Sequence, residues 1–321
     1  VLSHSNEVVS HEAALTLKSQ ARLPWVAYFG DVVAANPYVR YLGEYPLFEE
    51  DVVVEARTLS RADLVICNND EQRRLFIAIA GAGRAHRVVV IPHAYDESQY
   101  RRTRAPRVPS VPLQLLHVGG LYSEKRTARP LLAATELLLD IYPRLAGRFC
   151  VEFVGAAASK RDLEHWRAMR WRDHVKFTPS VTWKESIAAM ERADVLIVID
   201  GIFGTEDGLT ASPYFPGKLA DYAGAGRPLV AVTMARGPTA DLVAELGGIS
   251  RDDRPEHVAY AMKQAIEGRL EFPTPPLRLR AEIVGAQMEL ALRAAIAGEA
   301  AIARLQESLA AIPSRVIGRT R

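Results

Sequence analysis

Cysteine is almost absent from this sequence: Cys67 and Cys150 stand alone, both inside apolar, strand-like runs (LVICNN and FCVEFV). That excludes a disulfide framework and a zinc site, and reads as small core side chains in a reducing compartment. Long apolar runs are missing too. None approaches the roughly 20 residues that span a bilayer, and no signal peptide opens the chain. The expectation is a cytoplasmic protein, with peripheral contact at the inner face of a membrane left open. Charge of one sign is equally lacking. The 40 basic and 38 acidic residues nearly cancel, so composition offers no case for nucleic acid as the partner. No repeat of solenoid length occurs. No strand is followed by GxGxxG with an acidic residue about 20 positions on, which sets aside a nicotinamide dehydrogenase. An initiator Met is lacking as well. The opening VLSHSN reads as the end of a strand already under way, so the first domain is expected to lack its opening strands.

What is present points to an ordinary globular α/β protein. A length of 321 residues suffices for two domains with separate cores. Hydrophobic content of 49% and charged content of 24% are near the globular average. LPWVAYF, ADLVICN and RVVVIP are short strands alternating with helical stretches such as EVVSHEAALTLKSQ and DEQRRLFIAIAGAG. The second of these opens on a capping box from Asn68 to Glu71. Residues 101–112, RRTRAPRVPSVP, break the pattern with four Arg and three Pro. By composition this is a linker, and its charge would also suit anionic lipid headgroups.

A second run of units follows. PLQLLHVGG, FCVEFVG, HVKFTP, ADVLIVID and PLVAVT are strands, and a capping box from Thr182 to Glu185 opens the helix TWKESIAAMERA. Continuous apolar strands separated by helices predict doubly wound parallel sheets, with about five strands in the second domain. The organisation expected is a Rossmann-like domain over 1–108, a second over 109–275, and a helical tail over 276–321.

In such sheets ligands bind beyond the carboxyl ends of the strands, so the loops there carry the candidates. In HVGGLYSEKRTARP, Gly119 and Gly120 permit close backbone approach, and Lys125 and Arg126 arrive just before a helix N-terminus. Backbone donors, helix dipole and two cations together suit a diphosphate. The backbone of Pro179-Ser180-Val181 could border a flat base. After Asp200 comes an acidic, Gly-rich loop, GIFGTEDGLT, and then SPYFP leads into the helix GKLADYAGAG. Lys218 and Asp221 lie one turn apart on one face of that helix. A carboxylate there can accept two ribose hydroxyls, and a Lys beside it can meet phosphate. A bland surface ion pair is the competing reading of those two residues. Gly224 and Gly226 would let the helix end close to the sheet, and Pro228 stops it.

FPGKLADYAGAGRPLVA, HVGGLYSEKR, MERADVLIVID and VVVIPHAYDESQY together resemble the motifs of the large retaining GT-B glycosyltransferase family often called family 4. The likeness runs over roughly 60–275 and more loosely over 1–60. It implies two Rossmann-like domains (GT-B) and transfer of a sugar from a nucleotide sugar to a glycan, lipid-linked or small-molecule acceptor, with retention. Carried over residue by residue, it implies that Lys125 and Arg126 bind the donor diphosphate and Asp221 the ribose. Gly119, Gly120, Val181 and Lys218 would line the same site. Asp31 would face the cleft from the first domain, with His93 and Asp96 in the segment closing that domain. Two departures stand out. Pro213 occupies the place of a sugar-contacting Glu, for which Glu206 or Asp207 would have to substitute, and Gly120 the place of an Arg. No DxD pair is present, so no metal or other cofactor is expected. The acceptor would lose its proton to the donor phosphate or to a residue such as Asp31. His4 and His11 read as surface or strand-end histidines. The rival reading, favoured by Pro213 and the missing strands, is a nucleotide-sugar-binding module of a larger assembly without turnover.

Overall fold

The runs read as strands form strands, and helices lie between them. The computed structural model describes residues 1–5, 8–38, 47–100, 112–121, 125–155 and 158–312. The Arg- and Pro-rich residues 101–111 lie outside that set, as do Tyr122, Ser123 and Glu124. The chain divides into two compact units. One comprises Val1–Ala94, Pro213–Phe215 and Leu277–Arg321; the other Tyr95–Ser212 and Pro216–Pro276.

The first unit runs β1 (Leu2–Ser5), α1 (Val9–Ala21), β2 (Val26–Phe29), α2 (Phe48–Arg61), β3 (Leu64–Cys67), α3 (Asp70–Ala80) and β4 (Val88–Val90). The four strands are parallel, in the order β1-β2-β3-β4. Alternation along them feeds two cores, as a period of two requires. Trp25, Ala27, Phe29, Val65 and Cys67 face one, packed with Ala14 and Phe76. Val26, Tyr28, Leu64, Ile66 and Val89 face the other. The N-cap of α3 falls one residue later than the sequence suggested. Asn69 accepts from Gln72 N at 3.0 Å, while Gln72 Oε1 accepts from Asn68 N at 3.1 Å. Asn69 is the cap because it has the extended backbone there, and Gln72 reaches past it to Asn68 N instead of closing a reciprocal box on the cap. His4 is exposed and stacked on Tyr28 at 4.7 Å. His11 is fully buried, its Nδ1 2.7 Å from Ser3 Oγ, which also accepts from Trp25 Nε1 at 2.7 Å.

The second unit runs β5 (Leu113–Val118), α4 (Arg129–Ile141), β6 (Phe149–Val154), α5 (Lys160–Ala168), β7 (Val175–Thr178), α6 (Trp183–Arg192) and β8 (Val195–Ile199). It continues with α7 (Gly217–Ala225), β9 (Leu229–Val232), α8 (Pro238–Glu245), β10 (Ile249–Arg251) and α9 (Pro255–Ile266). Six parallel strands lie in the order β10-β9-β8-β5-β6-β7. The sixth, β10, was not expected: its Ile-Ser-Arg carries no apolar run. Because β5 pairs with both β6 and β8, the direction of winding reverses beside it, and the switch point lies at its carboxyl end. Leu115, Val151, Phe153, Ile197 and Val230 form one buried face, covered by α4 and α9. Thr182 and Glu185 exchange their capping hydrogen bonds as read, and an unforeseen box joins Ser159 to Asp162.

The C-terminal residues form α10 (Ala281–Ala297), α11 (Glu299–Ala303) and α12 (Leu305–Ala310). Ile283, Ala291, Ile302 and Leu305 bury against Val26, Tyr28, Leu64 and Ile66 of the first unit. Among the described residues no helix is long and apolar enough to cross a membrane.

Candidate functional site

The carboxyl end of β5 gathers most of the predicted residues. Gly119 has φ +101°, and a Cβ there would lie 2.8 Å from Lys218 Nζ. Glycine is therefore required twice, for the backbone conformation and for the space the lysine occupies. Its N–H donates to Val154 O at 2.8 Å, tying it to β6. A Cβ on the adjacent Gly155 would lie 3.9 Å from both Gly119 Cα and Ser180 Cα. The loops after β5, β6 and β7 thus meet, bringing the Ser180 backbone, and next to it the exposed Val181, to the same end. Gly120 is exposed, with open space where a side chain would be.

Lys218 enters from the first turn of α7, its Nζ 3.4 Å from His117 Nε2. His117 is fully buried, with Nδ1 3.0 Å from Ile197 O. A carbonyl only accepts, so a proton on Nδ1 suits Ile197 O, with the Gly119 backbone also hydrogen-bonded to the ring; in that tautomer Nε2 faces Lys218 with its lone pair. Burial holds the imidazole well below the usual histidine range, reinforced by the charges of Lys218 and Arg126. Burial likewise holds the Lys218 amine well below the usual lysine range; Arg126 adds to this and Asp200 opposes it.

Arg126 is buried, and its charge acts on His117, Lys218, Asp200 and Tyr222. Asp200, just past β8, is buried and accepts from Gly201 N at 2.8 Å, Ser212 Oγ at 3.0 Å and Thr239 Oγ1 at 3.3 Å. Burial pushes its carboxyl up, against the pull of Arg126 and these donors. Asp200 therefore fixes both ends of the acidic loop.

Asp221 lies one turn beyond Lys218, where Tyr100 OH donates to its Oδ1 at 2.9 Å. Burial raises its carboxyl and that hydrogen bond lowers it. Lys218 and Asp221 do not pair with each other, which removes the surface ion pair as an account of them. Gly226 ends α7 with φ +61°, as read. Gly224 has a different purpose: a Cβ there would fall 2.8 Å from the rings of Tyr95 and Tyr100.

Lys125 turns away from its neighbour. Its Nζ lies 3.6 Å from Asp207 Oδ2 and 4.0 Å from Glu206 Oε1, over the Phe203 ring. It lines a cavity of about 530 Å³ together with Thr127, Arg129, Asp200, Phe203 and Glu206. Gly119, Lys218 and Asp221 are not among the lining residues. The structure therefore brings Gly119, Arg126 and Lys218 together and sets Lys125 beside them on the wall of this cavity. The cluster, where a buried Arg126 and Lys218 meet the close-approach Gly119, is the better candidate for the chemistry than that cavity.

Asp31 is exposed, past the end of β2 in the first unit. His93 there is half-buried, 3.4 Å from Asn68 Nδ2 and against the Phe215 ring; burial lowers its imidazole. Pro213 O accepts from Asn69 Nδ2 at 2.9 Å. Asp96 caps a turn through Ser98 N at 2.9 Å. Sequence reasoning passed over His117, Asp200 and Tyr100 as site residues. The first two carried a signal, a polar residue within or closing an apolar strand; Tyr100 carried none.

No protein-family model matches the chain, and no curated protein matches it. Solved structures do. Anabaena HepE in complex with UDP-glucose is 17% identical, with 99% of this chain and 78% of that chain covered and a TM-score of 0.62. Sucrose-phosphate synthase from Thermosynechococcus elongatus is 16% identical, with 91% and 73% covered and a TM-score of 0.65. The lipopolysaccharide outer core galactosyltransferase WaaB, in its apo form, is 12% identical, with 91% and 74% covered and a TM-score of 0.62. At such identities the likeness shows the fold: the chain has the GT-B fold, with two Rossmann-like parallel-sheet domains.

Proposed function

We propose that this chain is a glycosyltransferase of the retaining, family-4-like kind. In this reading it moves a sugar from a nucleotide sugar to a glycan, lipid-linked or small-molecule acceptor. The observation that carries the reading is the convergence of Gly119, Arg126 and Lys218 at the switch point of the second unit. Two cations, a close-approach glycine and the N-terminus of α7 are what a nucleoside diphosphate needs. The fold's solved neighbours include a protein bound to UDP-glucose and a galactosyltransferase, which supports the same reading.

The transfer breaks the bond between the sugar's anomeric carbon and the diphosphate oxygen, and forms one to the acceptor oxygen on the same face. Negative charge grows on the departing diphosphate. Arg126 and Lys218 would stabilise it, without a metal being needed for that step. Lys125 would add its charge from the adjoining cavity wall. Asp221, with one oxygen held by Tyr100, would take the ribose hydroxyls, and the backbone at Val181 would border the base. The acceptor proton would pass to the donor phosphate, or to a residue such as Asp31. A lipid-linked acceptor would bring the Arg-rich segment to a membrane surface.

The test is to offer the purified chain UDP-, GDP- and dTDP-glucose, measuring binding by calorimetry and release of nucleoside diphosphate by coupled assay. Binding with release that an added acceptor accelerates is the expected result. Binding without release would assign the chain as a nucleotide-sugar-binding module instead. No binding of any donor would overturn both.

A further inference from the structure

We propose that Lys218 and His117 form a proton-accepting pair, so that binding of a nucleotide sugar draws a proton from solvent onto the Lys218 amine. The inference rests on the reading of this cluster as the diphosphate site. Lys218 Nζ sits against Gly119, close enough that a Cβ there would be 2.8 Å away. Its one polar partner among the described residues is His117 Nε2 at 3.4 Å. That nitrogen is an acceptor in the tautomer whose Nδ1–H meets Ile197 O at 3.0 Å, the Gly119 backbone also being hydrogen-bonded to the ring.

A neutral amine satisfies this geometry with a single N–H···N bond. An ammonium would leave two further donors without acceptors in a half-buried place, at a desolvation cost. The charged groups around it do not offset that cost. From the loop after β5, Arg126 bears the same sign. From the end of β8, Asp200 bears the opposite sign, but its oxygens are engaged by Gly201, Ser212 and Thr239. On α7 itself, Asp221 is turned to Tyr100. Tyr222 is engaged with Val118 N at 2.7 Å. The depressed basicity of Lys218 agrees with this arrangement.

A diphosphate supplies both the missing acceptors and the opposing charge. Bound beside Gly119, it would return the amine to its ordinary basicity. The balance is simple: solvent gives a proton, the amine becomes an ammonium, and no other bond changes. Affinity should then fall by up to tenfold per unit of pH between the depressed and the ordinary lysine range.

Titration calorimetry at about pH 8 in HEPES and in Tris tests this, since the two buffers release protons with different heats and a diphosphate diester holds its charge there. The probe is whichever of UDP-, GDP- or dTDP-glucose binds best. The apparent heat should differ between buffers in the sense of proton uptake. With Lys218→Arg, whose guanidinium stays charged, binding should persist with a heat independent of buffer. Buffer-independent heat in the native protein, or uptake unchanged in Lys218→Arg, overturns the inference while leaving the diphosphate site standing. Should Lys218→Arg fail to fold, the nitrogen-15 shift of the Lys218 amine in the native protein decides. Movement from amine to ammonium on adding the donor supports the pair, and no movement sinks it. If no donor binds, the site reading fails and the inference with it.

Discussion

Burial acts on Lys218, Asp221 and His11 in the sense that removes charge, yet the consequences differ at each residue. Asp221 keeps a hydrogen bond from Tyr100. Tyr100→Phe should destabilise the fold by about 0.5–1.5 kcal/mol and loosen the carboxylate. Asp221→Asn should weaken donor binding by roughly 1–3 kcal/mol. Equal donor affinity in both variants and the native chain, measured by calorimetry, would free Asp221 from the ribose. For His11, burial with the charge of His4 brings the imidazole down to about 4. The folded state therefore binds the proton less tightly than the unfolded chain, whose histidine titrates near 6.5. Stability from this group is fully present above the unfolded value and is lost as pH falls from about 6.5 towards 4. The loss is of the order of 3 kcal/mol at most. Urea unfolding followed across that window should show the slope, and His11→Gln should flatten it; an unchanged slope would contradict the assignment.

Elements follow from their local chemistry where that chemistry is strong. The box from Thr182 to Glu185 and the stop at Gly226 and Pro228 were legible because capping and left-handed backbone restrict the residue types allowed. β10 was not legible: three residues with one apolar side chain give no period, and pairing with β9 alone makes them a strand. The shift of the α3 cap from Asn68 to Asn69 depended on which of two adjacent Asn residues took the extended backbone. In the site, glycines and cations could be read from spacing, whereas the partners of each side chain could not. That Lys125 turns to Asp207 while Arg126 is buried with its charge acting on Lys218 is decided by tertiary packing. The β5–α7 junction makes its own prediction. Gly119→Ala meets both a positive φ and Lys218 Nζ, so it should cost on the order of 1–3 kcal/mol of stability and displace the lysine. A melting temperature and donor affinity equal to those of the native chain would refute that close approach.

At the scale of the molecule, the tail and the opening strands share one core. Ile283, Ala291, Ile302 and Leu305 cover Val26, Leu64 and Ile66, and Glu299 is held by His86 and Arg87. Uncovering such a face forfeits about 1.5–3 kcal/mol for each large side chain, so ending the chain at 280 should leave the first unit aggregated or unfolded. Solubility and far-ultraviolet circular dichroism check this, and an intact, soluble product would contradict it. The two parallel sheets were readable from alternation of apolar runs and helices. The packing of the tail on the first of them was not, since its even Ala- and Leu-rich spacing fits many surfaces.

The central claim is that Lys218 and its neighbours at the end of β5 hold a nucleoside diphosphate. Calorimetric titration of native protein and Lys218→Met with the best-binding nucleotide sugar tests it most directly. Losing a hydrogen bond to a charged group should weaken binding by roughly 1.5–3 kcal/mol, tenfold or more, while the melting temperature holds. Equal affinity in the two proteins would contradict the account.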